Sequence, residues 1–179
     1  MNDLVTEIVF SKEEIEQRCK ELGEQISKDY AGKKPLLIGL LKGSVPFMAE
    51  LIKHIDCDVQ IDFFDVSSYD GVNQTGNIRI LKDIETDVHN RDIIICEDIV
   101  DTGLTIKRVV ELLGCRGASS VEVVTLFDKK EGRTVKNITP KYIGFDVPKK
   151  FVVGFGLDYN EVYRNLPYVG VLKRSVYEK

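Results

Sequence analysis

The sequence has no tryptophan, and only two histidines and four cysteines among its 179 residues, and each scarcity removes a class of chemistry. Cys19, Cys57, Cys96 and Cys115 are widely spaced, form no C-x-x-C pair and have neither histidine nearby in a ligand-like spacing, which argues against a zinc site, and the four read as reduced packing residues. His54 and His89 read as surface residues on a helix end or loop, which leaves acid and base chemistry to carboxylates. No apolar run approaches the roughly 18 residues that cross a bilayer. The start, Met1 to Leu4, lacks the basic head and apolar middle of a signal peptide. A cytoplasmic protein without a membrane role is expected. Charge of one sign is also missing: 29 acidic against 25 basic residues leave a net charge of -4, which offers no polyanion-binding surface and argues against nucleic acid as a partner. What is present is a globular composition, 43% hydrophobic, in a length that suits one domain over 1–179.

Periodicity organises the chain. Ser11 and Glu14 form a capping-box pattern before Ile15, Cys19, Leu22 and Ile26, which predicts a helix from Ser11 to about Tyr30. Leu36 to Leu41 is a short continuous apolar run, as expected for a strand buried on both faces of a parallel sheet. Ser44 is the expected N-cap of a helix from Val45 to about His54, with Pro46 in its first turn. A long strand follows from Cys57, and the glycine- and amide-rich segment Tyr69 to Asn77 predicts a mobile loop before a strand at Ile78 to Leu81. Asp92 to Asp98 reads as a buried strand ending in acids, followed by a helix that Gly114 ends. Ser120 to Phe127 is a further strand, and Asp128 to Arg133 a basic loop. From Pro140 onward, short strands near Tyr142, at Phe151 to Val153 and at Tyr168 to Leu172 read as a small cap. The alternation implies a parallel α/β sheet with ligands at the carboxyl ends of its strands.

The segment Ile93 to Thr105 concentrates the chemistry. Apolar strand residues deliver Glu97 and Asp98 to the strand end, and Asp101-Thr102-Gly103-Leu104-Thr105 opens a helix with small and hydroxyl residues. Free backbone N–H groups and the positive end of the helix dipole suit a phosphate monoester there. Adjacent carboxylates repel a polyphosphate but accept hydrogen bonds from a vicinal diol. The combination describes a ribose 5-phosphate. Plainer roles stay open: Glu97 and Asp98 as solvated strand-end acids, and Asp101 as the helix N-cap.

E-D-I-V-D-T-G-L-T at Glu97 to Thr105 closely resembles the signature of type I phosphoribosyltransferases. Leu40 to Ser44 (L-L-K-G-S), Ser67 to Tyr69 (S-S-Y), Leu126 to Lys129 (L-F-D-K) and Lys150 to Asn160 (K-F-V-V-G-F-G-L-D-Y-N) narrow the resemblance to members that act on hypoxanthine and guanine, over nearly the whole length. The resemblance implies an α/β fold with a central, mostly parallel sheet flanked by helices. It also implies a flexible loop and a small cap, or hood, formed from the C-terminal region with the N-terminal segment around a core of about 30–140. The implied activity is purine salvage: magnesium-dependent transfer of 5-phosphoribosyl from 5-phosphoribosyl 1-pyrophosphate to N9 of hypoxanthine or guanine, giving IMP or GMP. Homodimers or homotetramers are implied as well.

The resemblance also assigns roles. Leu41, Lys42, Gly43 and Ser44 would form a pyrophosphate loop with a cis Leu41–Lys42 peptide. Glu97 and Asp98 would hold the ribose hydroxyls directly or through magnesium, and Asp101 would be the general base near purine N7. Thr102, Gly103, Leu104 and Thr105 would bind the 5-phosphate. Lys129 would donate to the purine 6-oxo group, although one extra residue in its loop leaves the choice between Lys129 and Lys130 open. Phe151 would stack on the purine, Val152 would read its edge, Asp158 would hold a second magnesium, and Arg164 would bind diphosphate. Ser68 and Tyr69 would begin a loop that closes over the site. Two rivals remain: a nucleic-acid-binding sensor on the same fold, disfavoured by net charge and length, and a phosphoacceptor receiver domain using Thr125 and Lys129.

Overall fold

Two sheets carry the chain. The computed structural model describes residues 3–68, 78–135, 137–147 and 150–178, so Tyr69 and the rest of the expected loop to Asn77 lie outside the described residues. In chain order the elements are β1 (Val5–Phe10), α1 (Lys12–Asp29), β2 (Leu36–Leu40), α2 (Ser44–Leu51), β3 (Gln60–Ser68), β4 (Ile78–Lys82), β5 (Asp92–Val100) and α3 (Leu104–Cys115). These are followed by β6 (Ser120–Asp128), β7 (Tyr142–Asp146), β8 (Val152–Val153), β9 (Val169–Leu172) and α4 (Arg174–Tyr177). Short 3-10 turns stand at Ile52–His54 and Lys130–Gly132.

The larger sheet has the order β4-β3-β2-β5-β6-β7, parallel throughout except for β4, which runs antiparallel to β3. Side chains alternate across it. Leu37, Ile94 and Cys96 pack with Cys19, Leu22 and Ile26 of α1 and Phe47 and Leu51 of α2. Leu36, Ile38, Ile93 and Ile95 pack on the other face with Ile106, Val109 and Leu113 of α3. This period of two explains the unbroken apolar runs, since both faces of β2 and β5 are covered. The smaller sheet, β1-β9-β8, is antiparallel and joins the N-terminal strand to the C-terminal region, the composition expected of the cap.

Several local expectations are corrected. The strand near Tyr142 is not part of the cap: β7 pairs with β6 and extends the large sheet. Ser44 is not an N-cap, because Gly43 already has helical angles and Ser44 lies buried in the first turn of α2. The α-helix ends at Leu51, and His54 closes a 3-10 turn. The acids Glu97 and Asp98 do not end β5, because Ile99 and Val100 continue its ladder against Phe127 and Asp128 of β6. Gly114 sits inside α3, and the stop comes at Gly117, whose φ of 85° reverses the chain. Cys115 is exposed, unlike buried Cys19 and Cys96, so it is not a packing residue. The capping box at Ser11 and Glu14 forms as expected, with both reciprocal hydrogen bonds present.

Candidate active site

The parallel strands end together, and the side-chain alternation of β5 decides what stands at that end. Glu97 continues the face of Ile93 and Ile95 toward α3, and lines a cavity of about 120 Å³ with Asp101, Thr102, Gly103 and Thr105. Asp98 continues the face of Ile94 and Cys96, and lines a cleft of about 230 Å³ with Lys129, Phe151, Val152, Leu157 and Asp158. The two acids are therefore not a pair presented on one side, as their adjacency suggested. They mark two cavities that share Ile99. Burial, aided by the charge of Asp98, pushes the Glu97 carboxyl well above the usual range. Burial also raises Asp98 to about 6, against the opposing effects of the Ile99 N–H and the Arg164 charge.

The smaller cavity is lined by the segment expected to bind the 5-phosphate. Gly103 precedes α3 with φ 81°, a left-handed conformation that suits glycine. Asp101 is accordingly not the N-cap of α3. The Thr102 hydroxyl instead accepts a hydrogen bond from the Leu104 N–H at 3.3 Å. The Asp101 carboxylate faces Lys129, whose Nζ donates to Oδ2 at 2.9 Å, while Lys130 turns away to Asp146 at 2.8 Å. Of the two lysines, Lys129 is the one that lines the cleft.

The basic loop exposes Lys130 and Glu131 but turns Arg133 inward. The Arg133 side chain is 14% exposed and pairs with the carboxylate of Asp128, itself 3% exposed. Its guanidinium also donates to the carbonyls of Asp101, Val100 and Ile138. The Thr134 and Val135 N–H groups both donate to the Thr102 carbonyl. This segment ties the phosphate loop to the end of β6. Nothing in the sequence marked Arg133 for the task, because its acceptors are mostly main-chain carbonyls brought near by folding.

On the other side of Asp98, residues 41 to 43 join β2 to α2, with the Leu41–Lys42 peptide in the expected cis form. Gly43 is required there, since a Cβ would strike the Asp98 carboxylate. Arg164 reaches over this loop, donating to the Gly156 carbonyl at 2.7 Å and pairing with Asp158 at 2.9 Å. Ser44 Oγ and Arg164 Nε are buried without a hydrogen-bond partner among the described residues. Ser44 Oγ is turned into the core beside Gly39, whereas Arg164 Nε belongs to a side chain that pairs with Asp158 of the cleft.

Phe151 is 38% exposed on the cleft and stacks on Tyr177 of α4, with ring centroids 4.7 Å apart. The sequence reading missed Tyr177, which backs the expected stacking residue from the far end of the chain. Ser68 is the last residue of β3.

Glu97, Asp98 and Asp158 do not converge, and among the described residues no three acidic, histidine or cysteine side chains form a ready cation cage. Asp98 and Asp158 do share the cleft. One or two carboxylates with open space for phosphate and water suit magnesium, which retains much of its hydration. Burial disfavours the charged form of both raised carboxyls, and an arriving cation would favour it. The receiver-domain reading fails on Thr125, which is fully buried and donates its hydroxyl to the Phe127 carbonyl at 2.9 Å.

Comparison with known proteins shows what this chain resembles. Residues 6–160 match the family model described as a phosphoribosyl transferase domain. A hypoxanthine-guanine phosphoribosyltransferase of Streptococcus mutans is 57% identical over 176 residues, which are 98% of this chain and 97% of that one. A crystal structure of a hypoxanthine phosphoribosyltransferase from Staphylococcus aureus superposes with a TM-score of 0.95 at 49% identity, covering 99% of this chain and 96% of that one. The hypoxanthine phosphoribosyl transferase of Trypanosoma cruzi gives 0.93 at 35% identity, over 99% and 96% of the two chains. Among the described residues, no helix is long and apolar enough to cross a membrane.

Proposed function

The chain belongs to the phosphoribosyl transferase family, and we propose that it serves purine salvage by transferring 5-phosphoribosyl from 5-phosphoribosyl 1-pyrophosphate to N9 of hypoxanthine or guanine. The products are IMP or GMP and pyrophosphate. The observation that carries this reading is the Lys129–Asp101 pair, a donor and an acceptor 2.9 Å apart where the cleft meets the loop cavity. A 6-oxopurine carries its 6-oxo acceptor and N7 on one edge, and with the proton on N7 that edge offers an acceptor beside a donor. Lys129 and Asp101 are its complement. Adenine sets an amino donor against the lysine instead.

The roles of this chain's residues follow from that pose. As N9 attacks the anomeric carbon, the bond to the diphosphate oxygen breaks with its electron pair and the N7 proton passes to Asp101. Phe151 supports the ring by stacking, and Val152 offers main-chain groups to its edge. Thr102, Gly103, Leu104 and Thr105 hold the 5-phosphate through N–H groups, hydroxyls and the dipole of α3. The 41–44 loop, through its backbone N–H groups, and Arg164, through its guanidinium, take the diphosphate. Glu97 and Asp98 attend the ribose hydroxyls from the two faces of β5. Magnesium would be held by Asp98 and Asp158, with Glu97 near the ribose, and supplies charge neutralisation to the departing diphosphate when bound. A loop beginning at Ser68 and Tyr69 would exclude water from the ribosyl transition state.

Four free thiols support a cytoplasmic setting, and exposed Ile61, Ile80 and Leu81 on β3 and β4 support a homodimer or homotetramer. The test is pyrophosphate release from 5-phosphoribosyl 1-pyrophosphate with magnesium. Release that requires hypoxanthine or guanine, with IMP or GMP as the product, is expected. Silence with both bases from folded protein would refute the assignment.

A further inference from the structure

Lys42 and Arg164, the two cations assigned to diphosphate, already share an anion. Glu161 Oε2 accepts from Lys42 Nζ at 2.9 Å, and Glu161 Oε1 accepts from Arg164 Nη2 at 3.3 Å. These are the two oxygens of one carboxylate bridging two cations, as two oxygens of a diphosphate would. The bridge spans the chain, because Lys42 follows β2 and Glu161 lies 119 residues later. Both partners of the Lys42 contact are more than half exposed, so an incoming anion can reach and replace it.

The backbone makes the bridge deliberate. Tyr159 and Val162 exchange N–H···O bonds around a two-residue turn in which Asn160 and Glu161 both have positive φ, 52° and 64°. Asparagine is common at such positions, but glutamate is not. The turn is held from below by the Asp158 carboxylate, which accepts the Glu161 N–H at 2.9 Å. A side chain kept in a disfavoured backbone conformation, and aimed at two cations of a site, points from strain to function.

We propose that Glu161 is a built-in counter-anion of the diphosphate site, a carboxylate that occupies Lys42 and Arg164 in the free enzyme and competes with diphosphate for them. Diphosphate entering the site breaks both contacts and leaves Glu161 beside a like charge. When diphosphate departs, Glu161 re-forms the bridge and opposes its return. Glu161 thereby sets diphosphate affinity, and with it the ease of product release, without touching the purine. This rests on the reading that Lys42 and Arg164 bind diphosphate.

The experiment is product inhibition by inorganic diphosphate, with magnesium present, in the wild type, Glu161→Gln and Arg164→Ala, with the KM for hypoxanthine measured alongside. Glu161→Gln keeps the shape and removes the charge at an exposed position, and Glu161→Asp, which shortens the arm, serves as a second variant. Diphosphate is expected to inhibit Glu161→Gln about two- to fivefold more tightly, the range set by exposed ion pairs. Glu161→Asp should shift in the same direction, and the hypoxanthine KM should stay unchanged. Unaltered or weaker inhibition of Glu161→Gln, with Arg164→Ala clearly weakened, overturns the counter-anion and leaves the diphosphate site standing. Inhibition of Arg164→Ala as tight as that of the wild type overturns the diphosphate site itself.

Discussion

Replacing Arg133 with methionine should damage both stability and turnover. Its guanidinium is the counter-charge of nearly buried Asp128 and a donor to the Asp101, Val100 and Ile138 carbonyls. Methionine keeps much of the volume but leaves the Asp128 carboxylate unpaired. Removing one partner of a buried pair costs about 3–5 kcal/mol. For a chain of this size each kcal/mol moves Tm by about 2–4 °C, so a fall of about 6–20 °C is expected. Adding Asp128→Asn should recover part of that loss, because the stranded charge disappears with it. Turnover should fall in both variants, since the Asp101 carbonyl and the Thr102 turn lose their tether. Thermal unfolding of the two single variants and the double variant, beside hypoxanthine turnover, makes the test. A Tm change under about 2 °C for Arg133→Met would refute the reasoning.

Three further outcomes are expected. Asp101→Asn should lower kcat about 10²–10⁴-fold while the KM for 5-phosphoribosyl 1-pyrophosphate changes little, as steady-state kinetics would show. Tyr177→Ala removes the ring behind Phe151 and should raise the hypoxanthine KM roughly two- to tenfold, with a smaller effect on kcat. Asp62 predicts an acid limb of stability. Burial raises its pKa, but N–H groups of Thr86, Phe63 and Glu85 outweigh burial and hold it below its ordinary value. A depressed folded pKa means its contribution is full above the unfolded value of about 4 and is lost as pH falls through the folded value. Asp62→Asn should flatten Tm against pH in that window, and an unchanged slope would count against the assignment.

The pieces legible in the sequence were those set by local rules. Ser11 and Glu14 wrote the start of α1, the apolar runs wrote β2 and β5, and the glycine after Thr102 wrote the turn into α3. What the sequence hid depends on contacts between distant segments. Glu97 and Asp98 are neighbours in the chain, yet β5 sends them to different cavities, a consequence of continuing as strand to Val100. Arg133 looked like one more charge in a basic loop until folding brought three carbonyls around it. Tyr142 looked like part of the cap because its strand is short and far from the core in sequence, and only its pairing with β6 assigns it to the large sheet. Glu161 carried no local signal beyond its place after Asn160, and its meaning lies in Lys42 and Arg164.

The central claim is that Lys129 and Asp101 read the 6-oxo and N7 edge of the purine. The most direct measurement is the ratio of kcat/KM for hypoxanthine over adenine, in the wild type and in Lys129→Met. The wild type should prefer hypoxanthine by about a hundredfold or more, as a site built to hydrogen-bond its substrate does. The ratio should collapse toward unity in Lys129→Met through loss of hypoxanthine turnover. A ratio that Lys129→Met leaves unchanged would contradict the account.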